Sequence, residues 1–155
     1  MYMFKSLLTS FLALVGGTAT APAQSALNHE ALEELARQGV FKAQYVIPLQ
    51  LEDHPLFVLL KQQGLFDLTG DMNQLMLPVE RDLAARMGVS RYAATPLPSY
   101  LEGVRTQLDK IWAASLANDT GPQSQAALTR ATKETVELQS VLKAALATGH
   151  LYVAD

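Results

Sequence analysis

Three absences limit what this chain can do. It contains no cysteine, which excludes disulfides, thiolate metal sites and lipid attachment through a cysteine. It has no basic excess, with 12 Lys and Arg against 15 Asp and Glu, whereas phosphate-binding proteins usually carry a basic stripe. It also lacks both a Gly-x-Ser-x-Gly motif and a phosphate-cradling glycine loop. These absences count against a serine hydrolase, a P-loop nucleotide site and a nucleic-acid partner.

The first 23 residues differ chemically from the rest of the chain. They carry one charge, Lys5, then an apolar run from Leu7 to Val15 and small residues that end in Ala-Pro-Ala. This is the layout of a secretory signal peptide, and the run is shorter than the ~20 residues of a permanent membrane span. We expect cleavage after Ala23, export to the periplasm or beyond, and one domain over residues 24–155. A helix that packs on the domain or anchors it to a membrane is the alternative.

The pattern after residue 24 predicts a mainly α-helical domain with a small two-stranded β element. Helices are expected at 27–39, at 53–64 with Pro55 in the first turn, at 78–88 opened by Pro78, and from Ser99 for about four turns. Extended segments are expected within 40–51 and at 74–77, where β-branched, aromatic and apolar residues lie between turn signals.

A last helix is predicted at about 123–148. It has an apolar stripe at three- and four-residue steps, made of Leu128, Ala131, Thr135, Leu138, Leu142 and Ala145. Such a stripe usually packs on its own domain, and dimerisation or docking of a partner helix is the alternative. The final six residues, which include His150 and Tyr152, are expected to lie at the surface or to fray.

The middle of the chain carries three segments in a distinctive order. They read AQYVIP at 43–48, DHPLFVLLKQQGLFDLTGDMNQLMLP at 53–78 and ATPLPSYLEGVRTQLDKI at 94–111. Over residues 39–112, about half of the chain, they resemble the AHH family of bacterial toxin nucleases, a branch of the HNH/endonuclease VII group. The resemblance implies an HNH-like ββα remnant flanked by amphipathic helices. The matching positions are Ala43, Ile47, Pro48, Asp67, Asn73, Leu77, Pro78, Pro98 and Tyr100.

The resemblance fails at the residues that carry the family's chemistry. Gln44 and Tyr45 occupy the positions of its histidine pair, and Ala93 and Leu97 occupy those of its later histidines. The family implies hydrolysis of phosphodiesters with one divalent ion, in which a histidine activates water and an asparagine, here Asn73, orients it. A phenol is a weak base at neutral pH, an amide is a weak metal ligand, and leucine is none. We therefore expect a degenerate site without catalysis and without a cofactor.

The candidate site residues fall into two groups. The remnant of the active site is predicted to consist of Gln44, Tyr45, Asn73 and Leu97. The candidate binding residues are Tyr45, His54, Asp67, Asn73 and Tyr100. No metal site is expected, and a divalent cation is implied only if nuclease activity persists.

Several polar residues have a structural explanation beside the functional one. His54 precedes a helix, so it either caps that helix or takes part in function. Asp67 and Asp71 flank a turn, where they either bind a hard cation or stabilise the turn. His29 and Glu33 form half of a zinc-binding helix motif, or simply belong to an acidic first helical turn.

Three functional interpretations follow. The first is an exported, non-catalytic, nuclease-like protein that binds a protein partner in a bacterial toxin or secretion system used in interbacterial antagonism. The second is a secreted effector toxin with a remodelled hydrolytic site. The third is an AHH-type nuclease with displaced ligands. We favour the first, because similarity of fold does not transfer function. Nucleic acid and a permanent membrane span are not expected, and a second copy bound through the C-terminal helix is the alternative partner.

Overall fold

The computed structural model describes residues 29–115 and 124–155. Within them the chain is mainly helical with one small antiparallel sheet, which confirms the predicted fold class. Short 3₁₀ turns lie at Leu49–Leu51 and Asp71–Asn73. In chain order the elements are α1 (His29–Arg37), β1 (Phe41–Tyr45), α2 (Pro55–Gln62), β2 (Gln74–Pro78), α3 (Arg81–Met87), α4 (Pro98–Ser115) and α5 (Gln125–Ala147). The proposed signal peptide at 1–23 lies outside the described residues.

The helix boundaries follow the signals in the sequence. The His54 side chain caps α2 by accepting from the Leu56 N–H, and Pro55 begins the helix. Gly88 ends α3 in the left-handed conformation, at φ 68°. Ser124 caps α5 through a bond from the Ala127 N–H to its hydroxyl.

The prediction that Pro78 opens a helix is wrong. Pro78 is the last residue of β2, where it pairs with Phe41, and α3 begins three residues later at Arg81. The reason lies in the strand register. At the Phe41–Pro78 pair the backbone groups point away from the partner strand, so a proline without an N–H removes no bond from the ladder.

The core is formed by α2, α4, α5 and the segment that follows β1. Its large fully buried side chains include Val46, Ile47, Leu51, Leu56, Leu60, Leu77, Leu108, Leu142 and Leu146. The predicted stripe of α5 is buried in this core from Leu128 to Ala145, and α5 packs along α4. The stripe therefore packs on its own domain, as predicted, and does not form a free surface for a second copy. In the described part of the chain, no helix is both long and apolar enough to cross a membrane.

The C-terminal residues are packed, so the expectation of a frayed end is wrong. His150 and Tyr152 are exposed, but Val153 is fully buried. The Val153 N–H donates to the buried Ser90 hydroxyl at 3.0 Å, and its carbonyl accepts from the Leu97 N–H at 2.9 Å. These bonds fix the end of the chain against the loop between α3 and α4.

Candidate functional site

The side chain of Gln44 contacts the backbone of Ala93. Gln44 lies on β1 and is buried, and Ala93 lies in the loop between α3 and α4. The Gln44 Oε1 accepts a hydrogen bond from the Ala93 N–H at 2.8 Å. The amide side chain thus holds the loop against the sheet.

A groove of about 260 Å³ lies beside this contact. β1 provides one wall through Ala43, Gln44 and Tyr45, and the loop provides the other through residues 92–94 and Pro96. Tyr45 is half-buried and faces the groove. Gln44 and Tyr45 therefore both line this groove, and their assignment to a remnant active site stays a prediction.

Asn73 does not face this groove. Its side chain is fully buried, and all of its bonds go to backbone groups. The Asn73 Nδ2 donates to the carbonyls of Ile47 and Leu68, at 2.9 and 2.8 Å, and its Oδ1 accepts from the Ile47 N–H at 2.8 Å. The Asn73 carbonyl also accepts from the Val46 N–H. Asn73 therefore clamps the segment after β1 to the turn before β2, and both of its donors are occupied.

Tyr100 is also buried and bonded within the core. Its hydroxyl donates to the Val46 carbonyl at 2.6 Å, so α4 is tied to the segment after β1. Desolvation by the surrounding core raises the pKa of Tyr100 well above the ordinary value for a phenol. This phenol is a structural hydrogen-bond donor.

The raised pKa of Tyr100 predicts a loss of stability in alkaline solution. Below the ordinary phenol pKa of 10.0 the side chain is neutral in both states, so its contribution to stability is complete. Above that pH the unfolded phenol ionises while the folded one stays neutral, which lowers the free energy of unfolding by up to about 1.4 kcal/mol per pH unit. Urea unfolding of the wild type and Tyr100→Phe between pH 7 and 11.5 measures this.

At pH 7 the free energy of unfolding of the wild type should exceed that of Tyr100→Phe by about 1 kcal/mol, because the variant leaves the Val46 carbonyl without its donor. This advantage should shrink above pH 10. The exposed Tyr152→Phe variant controls for removal of a phenol. A difference between wild type and Tyr100→Phe that stays constant through pH 11.5 would contradict the prediction.

His54 forms a bridge between two helices. Its Nδ1 accepts from the Leu56 N–H at 3.1 Å, and its Nε2 lies 2.7 Å from the Asp109 Oδ1 of α4. The accepting Nδ1 fixes the tautomer, so the Nε2–H donates to Asp109. Both ring nitrogens are occupied, so His54 caps α2 and links it to α4 and has no nitrogen free for a substrate.

Asp67 stabilises its own turn. Its Oδ1 accepts from the Thr69 hydroxyl at 2.7 Å and from the Thr69 N–H at 2.9 Å. The hydroxyl and backbone bonds from Thr69 lower the pKa of this exposed carboxyl. The arrangement is a local turn motif and does not bring Asp67 to the groove beside Tyr45.

Leu97 is separated from the other remnant residues. It lines a second, apolar groove of about 590 Å³ that also contains Tyr100, Tyr152 and the chain end at Asp155. Across residues 29–115 and 124–155, no three His, Asp or Glu side chains are arranged to hold a metal ion. Of the predicted site residues, Gln44 and Tyr45 therefore line the groove beside β1, and Leu97 lines a different one. The others have hydrogen bonds that stabilise the fold, namely Asn73, His54, Asp67 and Tyr100.

Sequence reasoning missed the opposite wall of the groove beside Tyr45. Tyr92 and Pro96 line it, and the Lys42 ammonium lies 5.7 Å from the centre of the Tyr92 ring. The loop at 89–97 has no hydrophobic periodicity, so its position cannot be predicted from a sequence pattern. Its position depends on hydrogen bonds to distant segments, among them those from the Ala93 N–H to Gln44 and from the Tyr92 N–H to the Pro78 carbonyl.

No protein-family model, no curated protein and no solved structure matches this chain. The resemblance to the AHH nucleases therefore rests on the quoted motifs. The two-stranded antiparallel sheet is observed, and its interpretation as an HNH-like remnant stays a prediction.

Proposed function

We propose that this protein is an exported, nuclease-like protein that has lost catalysis and binds a protein partner in a bacterial toxin or secretion system. The observation that carries the proposal is that two of the side chains predicted to form the remnant site are hydrogen-bonded to the backbone. Gln44 holds the loop at Ala93, and Asn73 clamps the segment after β1. Side chains bonded to backbone in this way stabilise the fold and do not activate water.

The surface beside the remnant site supports binding as the remaining role. The groove next to Tyr45 is open and lined by tyrosine, proline, alanine and leucine side chains together with two glutamines. Tyrosines are enriched at protein interfaces because they contribute large contact areas at low entropic cost. The acidic net charge of −3 favours a protein partner over a polyphosphate.

A nuclease assay tests the loss of catalysis. The purified protein is incubated with plasmid DNA and with total RNA, in separate reactions that contain Mg²⁺, Mn²⁺ or Zn²⁺. We expect both nucleic acids to stay intact, because a missing general base alone lowers a rate by about 10²- to 10⁴-fold. Expression in the cytosol and in the periplasm of a bacterium, followed by growth measurement, provides the cellular counterpart.

Tyr45→Phe is the matched variant for both assays. It removes one hydroxyl from the groove and preserves the aromatic ring. Cleavage or toxicity that disappears in Tyr45→Phe would assign a remodelled hydrolytic site to this groove and overturn the proposal. Metal-dependent cleavage that persists in Tyr45→Phe would instead support a nuclease with displaced ligands.

A further inference from the structure

We infer that the outer edge of β1 takes an extended peptide segment of the partner as an added strand, with an apolar side chain and an acidic side chain two residues apart. This rests on the proposed function and names the surface and the chemistry of its ligand.

The strand ladder shows which backbone groups of β1 are free. Val46 donates to Asn73 at one end of the ladder, and Val79 donates to Val40 at the other. Hydrogen-bonded and non-hydrogen-bonded pairs alternate in an antiparallel ladder. With the observed register, the backbone N–H and C=O groups of residues 42 and 44 point toward β2. Those of Ala43 and Tyr45 point outward, away from β2.

These outward groups are available to a ligand. In the described part of the chain, neither the N–H nor the C=O of Ala43 has a hydrogen-bond partner. The Tyr45 carbonyl has only a 3.5 Å contact with the Gln44 side chain, at the limit for a hydrogen bond. Ala43 is exposed, so a peptide backbone can approach it. An edge of this kind is a template for strand addition.

The groove lies along the same stretch of β1. Residues 43–45 form one of its walls, and the loop with Tyr92, Ala93 and Pro96 forms the other. In an added strand, side chains alternate between the two faces of the sheet. A side chain placed opposite Gln44 therefore enters this groove, where the alanine, proline and tyrosine side chains favour an aliphatic or aromatic group.

The charge near the edge selects the second side chain. Lys42 is exposed, lies two residues before Gln44 on the same face of β1, and makes no ion pair within residues 29–115 and 124–155. No acidic residue lines the described walls of the groove. A ligand residue opposite Lys42 therefore meets a positive charge in a chain that is acidic overall, which favours Asp or Glu.

Random dodecapeptides displayed on phage are the probe for this surface. They are selected against the purified full chain, and enriched peptides are synthesised and added to the ¹⁵N-labelled protein. We expect enriched sequences with an apolar and an acidic residue two positions apart, and we expect the Ala43 and Tyr45 amide signals to shift. Without peptide, the Ala43 amide should exchange with solvent faster than the Gln44 amide, which the ladder protects.

Two variants test the strand contact and the charge contact separately. Ala43→Pro removes the outward N–H without removing a bond between β1 and β2, and the loss of one or two backbone bonds weakens binding by about tenfold. Lys42→Glu leaves the backbone unchanged and should lower affinity for acidic peptides while raising it for their lysine-substituted counterparts. A peptide N-methylated at the pairing residue reports on the backbone bonds without altering the protein.

Several outcomes would overturn this inference. One is that no enriched peptide shifts the Ala43 amide signal. Another is that the peptides bind Ala43→Pro as tightly as the wild type. A third is that the shifted amide signals are confined to the groove at Leu97 and Tyr152. A dimer that dissociates in Ala43→Pro would assign the edge to a second copy of the chain. If nucleic acids stay intact while peptide binding at β1 fails, the proposed function stands and only this inference falls.

Discussion

Replacing Asn73 with alanine should destabilise the protein by about 3–5 kcal/mol, because three buried hydrogen bonds are lost together. The substitution leaves the Ile47 N–H and the carbonyls of Ile47 and Leu68 without their partners, in a position with no solvent exposure. Chemical denaturation followed by circular dichroism measures the change.

Two further variants identify the cause of the Asn73 effect. Asn73→Asp has nearly the same volume but presents a carboxylate to two carbonyl oxygens, so it should destabilise at least as strongly as alanine at neutral pH. Gln74→Ala removes a surface bond to the Thr69 carbonyl and should change stability by less than about 0.5 kcal/mol. An Asn73→Ala variant of wild-type stability would show that the clamp is not structural and would return Asn73 to the list of catalytic candidates.

Gly149→Ala should destabilise the protein by about 3 kcal/mol, from backbone strain and a steric clash combined. Gly149 adopts φ 71°, a conformation that side chains rarely adopt, and a Cβ at this position would lie 2.8 Å from the Gly88 carbonyl oxygen. Both glycines follow the ends of helices, α5 and α3, so the two helix ends lie close together at this point. Thermal unfolding should show a lowered midpoint.

Gly39→Ala is the matched control for Gly149→Ala. Gly39 has a similar φ of 75°, but a Cβ there meets no atom within 4 Å. It should therefore cost only the conformational strain, on the order of 1 kcal/mol. The difference between the two variants measures the steric part, and equal destabilisation would show that the contact with Gly88 relaxes at no cost.

Much of the fold could be predicted from the sequence because its signals are local. The stripe of α5 repeats at helical spacing, Pro55 and His54 mark the start of α2, and Gly88 marks the end of α3. Each signal depends on contacts within a few residues, which a linear sequence displays directly. Pro78 was misassigned because the same residue type suits a helix start and an outward-facing strand position, and the strand pairing decides between them.

The candidate site was less accessible to sequence reasoning. The pattern groups Gln44, Tyr45 and Leu97 in one remnant site, whereas in the structure Gln44 and Tyr45 line one groove and Leu97 lines another. The sequence offers capping as one of two roles for His54, and the structure shows the cap, whereas the bond of His54 to Asp109 joins residues 55 positions apart. Such pairs have no signature along the chain, because they depend on how α2 and α4 are packed.

The sequence by itself determined the mainly helical class, the start of α2, the end of α3 and the absence of histidine from positions 44, 45, 93 and 97. These are properties of residue identity and local spacing. Only the tertiary structure decided that Asn73 and Tyr100 are bonded to backbone within the core, and that the Ala43 edge of β1 lies open beside a groove. The physical reason is that hydrogen bonding and burial depend on segments distant in the chain, which come together only when the core forms.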